Sequence, residues 1–503
     1  MVKEILSADN SSYVAKFLNS LWLESLQGNT RVVFLNATNP EACADATAVV
    51  FQGDRGQNSA KLRRLSFAGR YFSGPYFPFL NLIKDFMQGK EPEEIGHCLK
   101  KAGVYQFHRQ LFASYLSGGE VWRYEEIIPE ELEYEKSKML ESVSKLFFYC
   151  LGDQPMILVA ENFQEAEEST LQLIRYLLRS EQKRKLLMVF TLNHGLYQRS
   201  EDISGEESWE SFYEEMKAEG LVLDLYSPLW PEVIPPQATG KEFAGTLEEK
   251  VAFCQLYFHF LALKECQRHA LALYEQELPG LIQPQGIHFK LLHLLGDVHT
   301  YLQENDAALL YYNTLLSWVQ PRNDRREMAN VFRKIGFVYY KKESMENAEK
   351  FNSKSFKLAT ELQDRVLIFK AFFLWYLIED KRRIKDGTSQ WSDRYDELIQ
   401  MAKELGMFNS LMCCYANPYS RYCNFSAVEE SYQQEAIRLA RRYKNEYRLA
   451  TVYQLIGLVH AVKGNYRAVL EYYKKSLRIK AKMGNKLELS YAYNALGYYS
   501  FMV

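Results

Sequence analysis

LIGLVHAVKGNYRAVLEYYKKSL, residues 455–477, decides the fold of the second half of the chain. Two stretches with apolar residues at helical spacing flank a polar turn at Gly464 and Asn465, a small residue (Gly457) sits in the first helix, and a ring (Tyr473) sits in the second. The same grammar occurs upstream. LLGDVHTYLQENDAALLYYNTLL (294–316) offers Gly296, His299, Ala308 and Tyr312, and KIGFVYYKKESMENAEKFNSKSF (334–356) offers Ile335, Gly336, Tyr339 and Ala348. ALGYYSFMV (495–503) begins another unit. Gly296 to Gly336 is forty residues and Gly457 to Gly497 is forty again; the same step through the gap lands on Tyr376 and Ala416. Two degenerate helical hairpins are therefore expected around AFFLWYLIED and LMCCYANPYS, and another before 290 in VAFCQLYFHFLALKECQRHALALYEQEL (251–278).

This pattern resembles the tetratricopeptide repeat, in which a small residue lets the second helix of each hairpin pack closely and rings fill the space between hairpins. HEAT-type repeats have a comparable length but lack the Leu-Gly, Ala and Tyr spacing; the step here exceeds the roughly 34 residues of the common tetratricopeptide unit. The resemblance implies an all-α superhelix over 241–503, about six hairpins with the last incomplete. It also implies that the concave face is the protein-binding surface. Carried over from the family's first-helix positions, that face comprises Lys290, His293, Asn330, Arg333, Phe337, Tyr340, Lys341, Lys370, Phe373, Lys381, Asn417, Arg421, Gln454, Tyr491, Asn494 and Tyr498. The set is basic, amide-bearing and aromatic. Such a face suits an acidic or C-terminal peptide segment, with Arg333 and Lys370 read as solvent-facing charges; the alternative is an ordinary solvated basic surface.

The first half reads differently. RVVFL (31–35), MILVA (156–160) and LLMVFTL (186–192) are short apolar runs of the kind that form buried parallel strands. Between the last two, Leu171, Ile174, Leu177 and Leu178 recur at helical spacing, which gives a strand, helix, strand unit.

Residues 156–178, MILVAENFQEAEESTLQLIRYLL, resemble the second-carboxylate segment of the signal-transduction ATPases (the STAND, AAA-like group with the large LuxR-type regulators). RRLSFAGRYFSGPYFPFLNLIKDF (63–86), LLMVFTLN (186–193) and LVLDLYSPLWPEVI (221–234) resemble further pieces of that domain in the same order, the last through Tyr226, Ser227, Pro228 and Leu229. The resemblance implies an α/β P-loop-like domain over 1–240. It also marks what is missing. A phosphate loop needs glycines, a lysine and a hydroxyl, whereas the segment after RVVFL reads NATNPEACAD (36–45), with Pro40 and Ala42 near the glycine positions, Cys43 near the lysine and Ala44 near the hydroxyl. QGDRGQNSAK (52–61), with Asp54, Arg55 and Gly56, lacks the spacing too. Where the family carries two acidic residues this chain has Glu161 and Asn162, and an amide cannot serve as a base. The reading is a degenerate ATPase domain: no enzyme, no catalytic residue, no cofactor.

Composition agrees with a folded chain of several cores: 503 residues, 47% apolar, 25% charged. The net charge of −2 makes nucleic acid an improbable partner on charge grounds. Acidic runs, EEIIPEELEYE (125–135) and EDISGEESWESFYEE (201–215), lie in the first half, and Lys and Arg become denser after 320. The eight cysteines follow no disulfide or zinc spacing, and neither a secretory leader nor a membrane span is visible, so a cytoplasmic place is expected. The function expected is non-catalytic: a regulatory or scaffolding protein that binds a partner in the groove. Two alternatives stand beside it. One is the sensor and transducer part of a larger signalling protein whose output domain is absent, favoured by ALGYYSFMV stopping inside a first helix; the other is a nucleotide-binding signalling ATPase.

Overall fold

The computed structural model describes residues 10–37, 61–67, 74–121, 126–127, 131–180, 184–192, 209–225, 245–277, 285–386, 392–416, 427–483 and 486–502. By contacts the chain divides into two units, Met1–Trp122 with Met139–Cys266, and Arg123–Lys138 with Gln267–Val503. The contact-defined cut falls at 266, and the second unit takes in a short segment from the first half.

In the first unit, strands β1 (Arg31–Ala37), β2 (Lys61–Ser66), β3 (Met156–Glu161), β4 (Leu186–Leu192) and β5 (Val222–Leu225) form a parallel sheet in the order β2-β3-β4-β1-β5. Every residue of β4, and all but the last of β3, is buried, as expected of strands covered on both faces. One face packs Val33, Leu35, Ile157, Val159, Leu187 and Val189 against Val14, Leu18 and Trp22 of helix α1 (Asn10–Leu26). The other carries an aromatic cluster in which Phe34 stacks on Phe190 at 5.1 Å and meets Phe163 and Phe212. Helices α2 (Phe79–Met87), α3 (Pro92–Ala102), α4 (Arg109–Leu116) and α5 (Leu132–Leu151) come between β2 and β3. Helix α6 (Glu168–Arg179) follows β3 and buries Leu171, Leu173, Ile174 and Leu177, each worth about 1.5–3 kcal/mol of transfer free energy. Helices α7 (Trp209–Ala218) and α8 (Leu247–His259) complete its elements, with α9 (Leu263–Glu277) reaching across the cut.

Among its described residues the second unit has no strand, and beyond α9 it carries the helices α10 (Gly286–Tyr301), α11 (Asn305–Val319), α12 (Arg325–Lys341), α13 (Met345–Glu361), α14 (Arg365–Asp386), α15 (Ser392–Leu405), α16 (Phe408–Ala416), α17 (Ala427–Arg442), α18 (Glu446–Val462), α19 (Tyr466–Met483) and α20 (Lys486–Phe501). The small-residue grammar has a steric basis. A Cβ built on Gly457 would lie 2.6 Å from Tyr473 Cδ2, one on Gly296 would strike the Tyr312 ring, and one on Gly336 would lie 3.1 Å from the Ala348 carbonyl oxygen. Helix starts are fixed by side chains: Asp324 accepts from the Glu327 N–H and Asn445 from the Arg448 N–H, caps worth about 1 kcal/mol each. Leu295, Tyr312 and Tyr473 are buried, while Tyr339 and Tyr466 are half-buried.

Candidate functional site

The first helices of three successive hairpins supply one cleft. Helix α12 contributes Arg333 and Phe337, α14 contributes Phe369, Lys370, Phe373, Leu374 and Leu377, and the entry to α16 contributes Met407 and Ser410. The spacing 333/337 and 369/370/373/374/377 keeps these side chains on one stripe of each helix. The cleft encloses roughly 530 Å³, part of it open to solvent, and Glu126 and Ile127 also line it.

Those two residues belong to the acidic run. Arg333 donates from Nη1 to Glu126 Oε2 at 2.9 Å and from Nη2 to Oε1 at 2.7 Å, a two-pronged carboxylate contact, and Lys370 Nζ donates to Oε1 at 3.0 Å. Tyr301 serves both backbone groups of the neighbour: the Ile127 N–H donates to Tyr301 Oη at 3.1 Å, and the Tyr301 hydroxyl donates to the Ile127 carbonyl at 3.2 Å. Ile127 is buried. Desolvation in the cleft acts to raise the Glu126 pKa, yet the charges of Arg333, Lys370 and Lys334 outweigh it and hold the carboxyl well below the usual carboxylate range. The Arg333 side chain is only 4% exposed, whereas Glu126 keeps 48% of its surface. Arg333 Nε is buried and has no hydrogen-bond partner among the described residues.

A second anchor lies further along. Glu131, fully buried, pairs with Arg448 and accepts from Asn409 Nδ2 at 2.9 Å, while Asn409 Oδ1 accepts from Asn445 Nδ2 at 3.3 Å. The Tyr134 hydroxyl donates to the Lys444 carbonyl at 3.3 Å and accepts from the Glu446 N–H at 3.0 Å. Lys138 pairs with Glu446 at 3.2 Å.

Of the residues expected on the concave face, the structure brings Arg333, Phe337, Lys370 and Phe373 together in the cleft. The expectation that Arg333 is a solvent-facing charge fails: the side chain is buried because its guanidinium already holds a carboxylate of the same chain. Others have different placements. Tyr340 packs in a core with Ala348, Leu374 and Ile378, and Lys381 Nζ lies over its ring at 4.4 Å. Lys341 donates to the Thr300 carbonyl at 3.0 Å. His293 pairs with Glu327, and Gln454 accepts from Lys480 at 2.7 Å. Lys290, Asn494 and Tyr498 are exposed and Asn330 is half-buried. Asn417, Arg421 and the Tyr491 side chain lie outside the described residues. Phe369, Leu374, Leu377, Met407 and Ser410 were not among the positions carried over from the repeat family.

In the first unit Glu161 ends β3 and Asn162 follows with φ 59°, so the second-carboxylate position stands at the C-terminal edge of the sheet, where open α/β sheets bind ligands. Asn36, near the end of β1, donates to the Tyr213 hydroxyl at 2.8 Å. Residues 38–60, which hold nearly all of both loops weighed as phosphate cradles, lie outside the described residues, as does the ending at 226–229. Among the described residues no group of three His, Cys, Asp or Glu is placed to hold a metal ion, and no helix is long and apolar enough to cross a membrane.

No family model matches the chain, and no curated protein matches it. Among solved structures it is similar to a signal transduction ATPase with numerous domains carrying a tetratricopeptide repeat sensor, from Pyrococcus horikoshii, at 11% identity and TM-score 0.46 over 98% of this chain and 86% of that one. It is also similar to a Rap protein complexed with competence and sporulation factor (10% identity, TM-score 0.37, 95% of this chain and 99% of that one). Aspartyl phosphate phosphatase F from Bacillus subtilis is similar at 12% identity and TM-score 0.37, over 97% of each chain.

Proposed function

We propose that the chain is a non-catalytic regulatory or scaffolding protein whose helical groove binds a protein partner through an acidic segment, and that its first domain is a pseudo-ATPase. The observation that carries the reading is the carboxylate held by Arg333 and Lys370 beside Phe337, Phe369 and Phe373. A guanidinium fork and an ammonium facing one point select a carboxylate, and the rings beside them take an aliphatic neighbour. In the first domain, the amide at Asn162 and the absence of lysine from NATNPEACAD argue against hydrolysis.

The test is capture from lysate followed by reconstitution with the purified partner, using the full chain and its Lys370→Glu variant at low and high salt. Binding that weakens as salt rises and is lost in the variant supports the reading, because charge-steered contacts are screened. A partner retained equally by both proteins at both salt concentrations refutes it.

A further inference from the structure

We infer that Glu126 and Ile127 are a built-in occupant of the groove, and that the partner's binding segment has the same chemistry, a glutamate followed by a branched aliphatic residue, which competes with them. The inference rests on the groove being the partner site. Three observations carry it beyond ordinary packing. First, the contact has the parts of peptide recognition: a carboxylate in a fork, both backbone groups of the next residue met by one tyrosine, and an apolar side chain against rings. Second, an ion pair is a poor choice for stability alone, since apolar residues of similar volume commonly serve as well or better. A recognition site needs the charge. Third, the two anchors differ in exposure. Glu131 is fully buried against Arg448, whereas Glu126 keeps 48% of its side-chain surface open. Displacement therefore begins at Glu126 and Ile127, while Glu131 and Tyr134 keep their own contacts.

Because the occupant is tethered, its effective concentration lies in the millimolar range typical of short links, and a free peptide of equal intrinsic affinity is held off accordingly. The probe is a fluorescent peptide bearing residues 123–130, RYEEIIPE, followed by anisotropy against three full-length proteins: wild type, Glu126→Gln/Ile127→Ser, and that variant with Lys370→Glu added. Glu126→Gln alone serves as a milder release variant, and melting temperature checks that each protein is folded. The expected result is binding to the release variants at least about tenfold tighter than to wild type, abolished by Lys370→Glu. Equal binding by wild type and release variants, still lost with Lys370→Glu, overturns self-occupancy and leaves the groove reading standing. Absence of binding by any folded variant, or binding indifferent to Lys370→Glu, overturns both.

Discussion

Gly457→Ala probes the packing rule on which the repeat rests. The added Cβ would fall 2.6 Å from Tyr473 Cδ2 and 2.7 Å from Cε2, against an ordinary carbon contact of about 3.5–4.0 Å, so helix or ring must retreat by roughly 1 Å. Tyr473 is 2% exposed and has little room to do so. A cost of about 1–3 kcal/mol follows, as for other overpacked cores, and more for Gly457→Leu. Tyr473→Ala alone costs about 3–5 kcal/mol through the cavity it leaves. Together the two changes should cost less than their sum by about 1 kcal/mol or more, because removing the ring removes the clash and the new methyl fills part of the void. A chain with two contact-defined units need not unfold in one step, so the readout is native-state amide exchange across 446–483. A Gly457→Ala effect below about 0.5 kcal/mol, or strict additivity, would refute the reasoning.

Three other outcomes are expected. The stabilisation of wild type over Glu126→Gln should be constant between pH 6 and 8 and shrink as pH falls below about 4.5, the ordinary value from which the Glu126 carboxyl is depressed. The sign follows because a depressed carboxyl stabilises the ionised folded form only while the unfolded chain is ionised too; a difference that survives unchanged into acid would count against the clamp. ATP and GTP turnover should stay at background, and activity that Glu161→Gln removes would overturn the pseudo-enzyme reading. Magnesium and ATP should leave the melting temperature unchanged, since a ligand of the native state must raise it.

The glycine step was legible because a Cβ at Gly296 or Gly457 would strike a tyrosine ring of the facing helix and one at Gly336 would press on that helix's backbone, whereas one at Gly497 would meet nothing within 4 Å among the described residues. The strands were legible because runs such as LLMVFTL are buried along their whole length. The groove was legible only in part. Fixed offsets from the repeat position brought Arg333, Phe337, Lys370 and Phe373 to the cleft, but Phe369 and Leu374 stand beside Lys370 and Phe373 on the same helix at positions those offsets do not reach. Met407 precedes Ala416 by nine residues, beyond the offsets used, whereas Ser410 stands six before it, the same step that leads from Tyr376 to Lys370, and was passed over. The acidic run at 125–135 and the basic face were both visible, yet Glu126 and Arg333 are 207 residues apart, and no local pattern pairs them. Arg333 was therefore read as exposed when it is the buried half of an ion pair.

The most direct measurement is amide exchange on the full chain with and without its captured partner. Binding should slow exchange in 333–341 and 366–377, which carry the clamp, and speed it at 126–127 as the built-in occupant leaves. Protection confined to the parallel sheet of the first unit, with the groove helices and residues 126–127 unchanged, would contradict the account.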